Sequence, residues 1–297
     1  MNILGIGVAT LDIVNLVDEY PTEDSEIRAV RLQRRRGGNA TNTLVVLSQM
    51  GHRCSWGGVL AGDPDAQYLI SDLERYGIDY RYCPIEKSGR TPTSCIILGR
   101  RSGSRTIIHY RDLSEFGSRD FKAIDLTPFD WIHFEGRNVA ETRRMLLECS
   151  ARRPSMPRSL EVEKERAGIE TLFPLADLLL FSKVYANHHG FDDPLPFLRS
   201  IRKQLPNSQL VCAWGATGAV AMDSDGSIVS SPAYPPARVI DTTGAGDVFN
   251  AAIIDGLIRG ETIGESVTAA CRLAGKKCGV TGIDGLFANP SHSSQNR

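Results

Sequence analysis

The sequence predicts an α/β fold in which helices cover both faces of a mostly parallel central sheet and a second, smaller sheet is added to it. Three observations predict this class. Short apolar segments alternate with helical segments along most of the chain. Two pairs of half-buried strands occur in the first part of the chain, and two long helices close it. The 297 residues are enough for one large domain of this kind.

The elements of the first part of the chain are predicted mainly as strands. Residues 3–8 are a short apolar run with two glycines, which is typical of a buried strand. Residues 13–17 and 29–33 predict two half-buried strands around a turn-rich segment. Residues 94–98 and 106–110 predict a second pair across a polar turn. Together the two pairs predict the smaller sheet.

The rest of the chain alternates between predicted strands and predicted helices. The further strands are residues 54–59, 131–134, 160–162, 178–181 and 210–213. The helices are residues 39–50, 66–76, 140–149, 245–259 and 263–278. The tail, residues 288–297, is rich in Ser and Asn and is predicted to be disordered.

The composition argues against several classes of protein. Basic and acidic residues number 34 and 35, so the net charge of -1 creates no global field for nucleic acid or an anionic membrane. No apolar run approaches the ~20 residues of a membrane span, and the N-terminus does not have the pattern of a signal peptide. We therefore expect a cytoplasmic protein. The basic run Arg34, Arg35 and Arg36 has no interleaved aromatic residues and predicts a solvated strand edge.

The cysteines and histidines do not predict a metal centre. The seven cysteines are scattered and never spaced as CxxC, so we expect reduced packing thiols. The pair His188 and His189 stands without a Cys/His cluster and predicts a solvated loop. Gly5 and Gly7 begin a dinucleotide-type pattern, but Thr10 occupies the place of its third glycine.

The stretch DTTGAGD, residues 241–247, precedes a predicted helix and indicates an anion site. Glycines allow successive backbone amides to converge on one point, and the helix adds its positive end. Asp247 is either a base for an attacking hydroxyl or a first-turn acid favoured by the helix dipole. The spacing alone leaves both interpretations open.

A second glycine pair, Gly37 and Gly38, also precedes a predicted helix. Asn39 and Asn42 lie three residues apart on its first turn, where their amides could hold adjacent hydroxyls. The alternative is a helix cap followed by an ordinary polar residue. Asp12 follows the first strand, at the end of the sheet where open α/β folds bind ligands.

These two stretches resemble the N-terminal and C-terminal motifs of the ribokinase-like (PfkB) carbohydrate kinases. The second match is highly specific. The resemblance implies a three-layer α/β/α fold with a small β-sheet lid, the β-clasp. It implies a kinase domain over residues 1–287, with lid insertions at about 12–36 and 91–112. Further blocks resemble the branch of this family that phosphorylates the C1 hydroxyl of ketohexoses such as fructose; they are residues 20–28, 131–138, 161–164, 211–214 and 274–279.

The resemblance also implies roles for individual residues. Asp247 would be the catalytic base, and Arg105 would reach the transferring phosphate from the lid. The amides of three residues would form the anion hole: Gly244, Ala245 and Gly246. Four residues would hold the sugar: Asp12, Gly38, Asn39 and Asn42. Asp24 would come from the partner subunit of a clasp-mediated homodimer. Nine residues would contact ATP: Arg105, Gly215, Ala216, Thr217, Gly218, Gly244, Ala245, Gly246 and Cys271.

The metal ions and the exact substrate are less well defined. The Asn-x-x-Glu motif that organises magnesium in many relatives is replaced here by the segment 182–185, Ser-Lys-Val-Tyr. Glu161 and Glu163 share one face of a strand. They are either water-mediated magnesium contacts or salt-bridge partners of Lys164 or of nearby arginines. The family often uses potassium, to which the backbone of Asp241 and Thr243 could contribute. Another sugar, a nucleoside or a non-catalytic sugar-binding regulator remain alternatives, although an intact Gly-Ala-Gly-Asp argues against the last.

Overall fold

A computed structural model of the chain describes residues 1–101 and 104–287. The strands are β1 (Asn2–Ile6), β2 (Thr10–Val17), β3 (Arg31–Gly37), β4 (Arg53–Gly57), β5 (Leu60–Ala61), β6 (Ile85–Glu86), β7 (Thr93–Gly99), β8 (Arg105–Tyr110), β9 (Trp131–Glu135), β10 (Arg158–Val162), β11 (Leu178–Ser182), β12 (Gln209–Ala213), β13 (Ala219–Met222) and β14 (Ile228–Ser231). The α-helices are α1 (Asn39–Gln49), α2 (Pro64–Arg75), α3 (Ser118–Phe121), α4 (Val139–Arg152), α5 (Lys183–His188), α6 (Pro194–Arg202), α7 (Ala245–Ile258) and α8 (Ile263–Cys278). Short 3₁₀ helices are formed by Ile169–Leu175 and Gly215–Thr217.

The central sheet has the order β14-β13-β12-β11-β10-β9-β1-β4. Strands β4 to β12 in this order pair in parallel, and β13 and β14 add an antiparallel edge. Successive strand residues point to opposite faces, so Ile3 packs into one hydrophobic core and Leu4 into the other. Helices α1, α2, α7 and α8 contribute to the first core, and α4, α5 and α6 to the second. The predicted mostly parallel, three-layer fold is confirmed.

The smaller sheet has the order β3-β2-β7-β8. Its two antiparallel pairs are those predicted, and a parallel pairing of β2 with β7 joins them. Strand β3 begins and ends later than predicted, because its ladder with β2 continues to the pair Thr10 and Gly37. This continuation brings the end of β3 to the start of α1. Both sheets therefore meet at one place.

The three arginines of β3 do not form the uniformly solvated edge that the sequence predicts. Arg34 is exposed, as expected, but Arg36 is only 8% exposed. The Arg36 guanidinium donates to Asp72 on α2 at 2.7 Å and to Asn42 on α1 at 2.7 Å. The prediction is wrong at Arg36 because the end of β3 lies against α1 and α2. The carboxylate of Asp72 and the amide of Asn42 compensate the buried charge there.

Other differences have local causes. The predicted strand 54–59 ends at Gly57, because the adjacent glycines break it before β5 begins. Strands β13 and β14 and helix α6 are absent from the prediction, since they are short and lie among turn-forming residues. All seven cysteines are free thiols. No helix within the described ranges is long and apolar enough to cross a membrane. The predicted disordered tail, residues 288–297, lies outside the described residues.

Candidate active site

A cavity of about 480 Å³ lies at the carboxyl ends of the central strands, beneath the smaller sheet. The ends of β9, β10, β11 and β12 contribute to its floor, and residues of β2, β7 and β8 contribute to its roof. The first turns of α1 and α7 complete the wall. Polar groups converge here because parallel strands all present their carboxyl ends on one side.

The turn before α7 is built to expose backbone amides. Gly244 has φ 80°, a left-handed conformation that favours glycine. A β-carbon on Gly246 would meet nothing within 4 Å, so this residue is open towards the cavity. The amides of a first helical turn have no acceptor within the helix and lie at its positive end. The amide of Ala245, however, donates to the carbonyl of Thr242 at 3.3 Å, so one of the three predicted hole amides is partly engaged.

Asp247 lies on the first turn of α7 and is only 6% exposed. Its Oδ2 accepts a hydrogen bond of 2.6 Å from Nδ2 of Asn42. Burial raises the pKa of Asp247 to about 7; Glu163 and Glu135 raise it further, while the hydrogen bond from Asn42 and the charge of Arg36 oppose the shift. A carboxylate with a pKa close to neutral is suited to accept a proton from a hydroxyl.

Asn42 connects Asp247 to a buried cation. Nη1 of Arg36 donates to Oδ1 of Asn42 at 2.7 Å, and Nδ2 of Asn42 donates to Asp247. Because an amide has one acceptor end and one donor end, the guanidinium fixes the direction in which the Asn42 side chain points. Arg36, on strand β3 of the smaller sheet, thus orients the carboxylate of Asp247 through Asn42.

Glu161 and Glu163 lie next to Asp247 on the cavity floor. Oε1 of Glu161 accepts hydrogen bonds of 3.1 Å from both Asn39 and Asn250, whereas its buried Oε2 has no hydrogen-bond partner among the described residues. Burial, followed by the charges of Asp247 and the neighbouring glutamates, raises the pKa of Glu161 well above its ordinary value. Glu163 accepts from Asn39 at 3.2 Å.

These glutamates fit an indirect contact to a metal better than a direct one. In the described part of the chain, no group of three or more His, Cys, Asp or Glu side chains is arranged to hold a metal ion. Glu163 does form the predicted ion pair with Lys164, at 3.2 Å. The unpartnered Oε2 of Glu161 remains able to accept a hydrogen bond from a metal-bound water.

The predicted sugar-contacting residues of one subunit all line the cavity. Asp12 accepts a hydrogen bond of 3.0 Å from Thr10, and burial raises its pKa against the opposing hydrogen bonds and charges around it. Gly38 has φ 104°, and a β-carbon there would lie 1.9 Å from the carbonyl oxygen of Val8. Only glycine fits that position. Asn39 lines the cavity, but its amide nitrogen is directed to the two glutamates.

Four groups of predicted residues lie apart from this lining, and the first is Ala245, which the lining does not include although Gly244 and Gly246 belong to it. Asp24 is exposed in the loop between β2 and β3. The loop of residues 215–218 follows shortly after β12. The last residue of that strand, Ala213, lines the cavity. A β-carbon on Gly218 would lie 2.0 Å from the carbonyl oxygen of Ser231, and Sγ of Cys271 lies 3.9 Å from the same oxygen. The predicted nucleotide residues thus form their own group at the cavity rim.

Arg105, the first residue of β8, does line the cavity, together with residues that sequence reasoning did not single out. The main ones are Glu135, Arg137 and His109. Glu135 ends β9 in register with Glu161, so a carboxylate at a strand end was an available signal. Oε1 of Glu135 accepts from Arg137 at 3.0 Å.

Comparison with known proteins identifies the family. Residues 2–286 match the model of the pfkB family of carbohydrate kinases. The chain belongs to this family. It is 41% identical over 292 residues to the ketohexokinase of Mus musculus, across 96% of this chain and 98% of that protein. This relative confirms the predicted similarity to the ketohexokinase branch, and the chain is a carbohydrate kinase.

Solved structures agree on the fold of this pfkB family member. A ribokinase from Cryptococcus neoformans in complex with ADP aligns with a TM-score of 0.79 and 17% identity, covering 96% of both chains. A ribokinase from Arabidopsis thaliana complexed with ribose and ATP aligns with a TM-score of 0.77 and 19% identity, covering 94% of this chain and 93% of that one. The predicted ribokinase-like architecture is thereby confirmed.

Proposed function

We propose that this carbohydrate kinase transfers the γ-phosphoryl group of ATP to the C1 primary hydroxyl of a ketohexose such as fructose, giving the 1-phosphate and ADP. One observation carries the proposal. The buried carboxylate of Asp247, whose pKa is raised to about 7, stands on the first turn of α7, directly after the glycine-rich turn that would form the anion site. The similarity to the mouse ketohexokinase supports the substrate class.

The chemistry requires a proton acceptor and a stabiliser of negative charge. The C1 hydroxyl passes its proton to Asp247 as its oxygen attacks the γ-phosphorus in line, and the bond to the bridging oxygen of ADP breaks. The amides of Gly244, Ala245 and Gly246 and the guanidinium of Arg105 stabilise the charge on the phosphoryl oxygens. The sugar is held below by four residues: Asp12, Gly38, Asn39 and Asn42.

ATP would lie along the rim formed by Gly215, Ala216, Thr217, Gly218 and Cys271. Its magnesium ion neutralises phosphate charge when bound. Glu161 and Glu163 would contact that ion through water, which is supported by the unpartnered Oε2 of Glu161. A closed cavity that excludes water also limits hydrolysis of ATP.

The smaller sheet would also serve as a lid and as the contact between two subunits. Its strands, β2, β3, β7 and β8, would be the lid insertions at about 12–36 and 91–112 of a kinase domain of residues 1–287. Leu32 and Ile108 are each 63% exposed, and Tyr110 is 55% exposed, which leaves an apolar surface for a second copy. In such a homodimer the exposed Asp24 would be offered to the sugar site of the partner.

A panel of sugars and nucleosides in a coupled ADP-release assay tests the proposal. We expect fructose to give the highest kcat/KM among ketohexoses, aldoses and nucleosides, with phosphorus on C1 of the product by NMR. Faster turnover of an aldose or a nucleoside would refute the substrate class. Stabilisation of the protein by fructose without any ADP release would instead identify a non-catalytic sugar-binding regulator.

A further inference from the structure

A fully buried ammonium group lies at the base of the turn that leads into the anion site. Lys277 stands on the last turn of α8, and its side chain is 0% exposed. Its Nζ donates to the backbone carbonyl oxygen of Asp241 at 2.6 Å and lies 3.4 Å from Oδ2 of the same residue. Asp241 begins the short loop that ends at Gly244, directly before α7.

The side chain of Asp241 is held by several partners at once. Nη1 of Arg35 donates to its Oδ2 at 2.8 Å, the amide of Gly282 donates to the same oxygen at 3.0 Å, and the amide of Thr243 donates to Oδ1 at 2.9 Å. The carboxylate of Asp241 is therefore paired with two cationic side chains, those of Arg35 and Lys277.

This arrangement does not fit the potassium ion that the family resemblance implies. That ion would need the backbone oxygens of Asp241 and Thr243, and the oxygen of Asp241 already accepts from the ammonium of Lys277. Ammonium and potassium carry the same charge. A potassium ion would be repelled by two cations already at this one carboxylate, the partly buried Arg35 and the fully buried Lys277, since charges interact strongly where little water is present.

We propose that the ammonium of Lys277 replaces the monovalent cation and makes the kinase independent of potassium. Lys277 acts as a positioning residue, because it ties the loop from Asp241 to Gly244 to the end of α8. The amides of Ile240 and Asp241 strengthen this tie by donating to the carbonyl of Cys278, at 2.8 and 3.3 Å.

The wild-type enzyme gives the first test. Initial rates with Mg-ATP and fructose are measured in potassium, sodium or tetramethylammonium chloride at equal ionic strength, so that general screening is constant. We expect rates that agree within about twofold, and a potassium requirement of about tenfold or more would overturn the inference. This rate comparison depends on the proposed function. No turnover in any salt would refute that function, and the melting temperatures below would then decide on Lys277.

The variant Lys277→Ala gives the second test. Lys277→Ala opens a space beside Asp241, so we expect its rate to fall by about tenfold or more and to recover partly with ammonium or potassium. Its melting temperature should rise in these salts, because a cation that binds only the folded state stabilises it. The melting temperature of the wild type should not respond. Full activity of Lys277→Ala in tetramethylammonium, or a variant that no cation restores or stabilises, would contradict the inference.

Matched variants separate the ammonium from packing and from net charge. Lys276→Ala removes the charge of the neighbouring lysine, whose Nζ donates to the carbonyl oxygen of Leu286 at 2.6 Å and not to Asp241. This variant should keep the wild-type rate in every salt. Lys277→Met fills most of the space without a charge, so it should be slow and not be restored by ammonium. Its turnover, without any restoration by salt, tests the inference if the alanine variant does not fold. Wild-type-like turnover of Lys277→Met would show that the charge is unnecessary.

Discussion

Asn42 on α1 holds Asp247 on α7 by a hydrogen bond of 2.6 Å between Nδ2 and Oδ2. The bond connects the two motifs that the sequence places about 200 residues apart. Since Arg36 fixes the other end of the same amide, the carboxylate has one defined direction in the cavity. The expected behaviour of several variants follows from this contact and from the charges around it.

Replacement of Asp247 by Asn should nearly abolish phosphoryl transfer. The variant retains the shape of the side chain but cannot take a proton from the sugar hydroxyl, so kcat should fall by ~10²–10⁴-fold. ATP binding, measured by calorimetry, should be preserved. Asp225→Asn, in the exposed turn before β14, is the control and should match the wild type. Wild-type-like turnover of Asp247→Asn would exclude it as the base.

The pH dependence of kcat/KM should report the buried carboxyl group. Because the base must be ionised, the rate should rise with pH through the pKa of Asp247 in the free enzyme, about 7. Arg36 lowers that pKa, so Arg36→Met should move the acid limb of the profile to higher pH. The exposed Arg34→Met should not move it. If Arg36→Met lowered the rate but left the acid limb of the pH profile unchanged, Arg36 would support only the fold.

Glu161→Gln should weaken the use of magnesium. The change keeps the size of the side chain but replaces the carboxyl group, one oxygen of which has no partner in the described structure, by an amide. Loss of an outer-shell carboxylate typically costs about 10–100-fold in metal affinity. The measurement is the magnesium concentration at half-maximal rate with ATP fixed. Glu165→Gln, whose carboxylate pairs with His189 on the exposed side, is the control. An unaltered magnesium requirement would remove Glu161 from the metal contacts.

The smaller sheet should hold two subunits together. Ile108→Asp places a charge in an exposed apolar surface that we assign to the dimer contact, so sedimentation should show a monomer. Leu147→Asp, on the outer side of α4, changes an equally apolar exposed residue and should leave the assembly intact. Asp24→Ala should raise the KM for the sugar and leave the KM for ATP unchanged. A wild-type protein that sediments as a monomer would refute the proposed dimer.

The sequence predicted the central architecture well because strands and helices there bury complete apolar faces. Helix α8 begins and ends as predicted, and its Thr262 and Glu265 form a capping box that is visible in the sequence. The motif around Asp247 was recognisable because the left-handed backbone conformation at Gly244 favours glycine. The edge strands β13 and β14 were missed, since four-residue strands carry too few residues for a pattern.

What the sequence could not provide was the set of long-range partners. The burial of Arg36 depends on Asp72 and Asn42, which come from two other elements. Periodicity within β3 contains no information about them. The interaction of Lys277 with Asp241 spans 36 positions, and nothing local distinguishes Lys277 from Lys276 beside it. Such pairs become apparent only when the helices are in place.

The end of β3 is fastened to the body of the protein, because Arg35 binds Asp241 and Arg36 binds Asp72. At the far side of the same sheet, every residue of β8 is exposed, including Arg105 at its start. We expect the sheet to pivot about its anchored border when the cavity opens, so that β8 and the proposed subunit contact move together. Opening would carry Arg105 away from the cavity while leaving the contact of Asn42 with Asp247 intact, so sugars could enter and products leave without dismantling the proton acceptor.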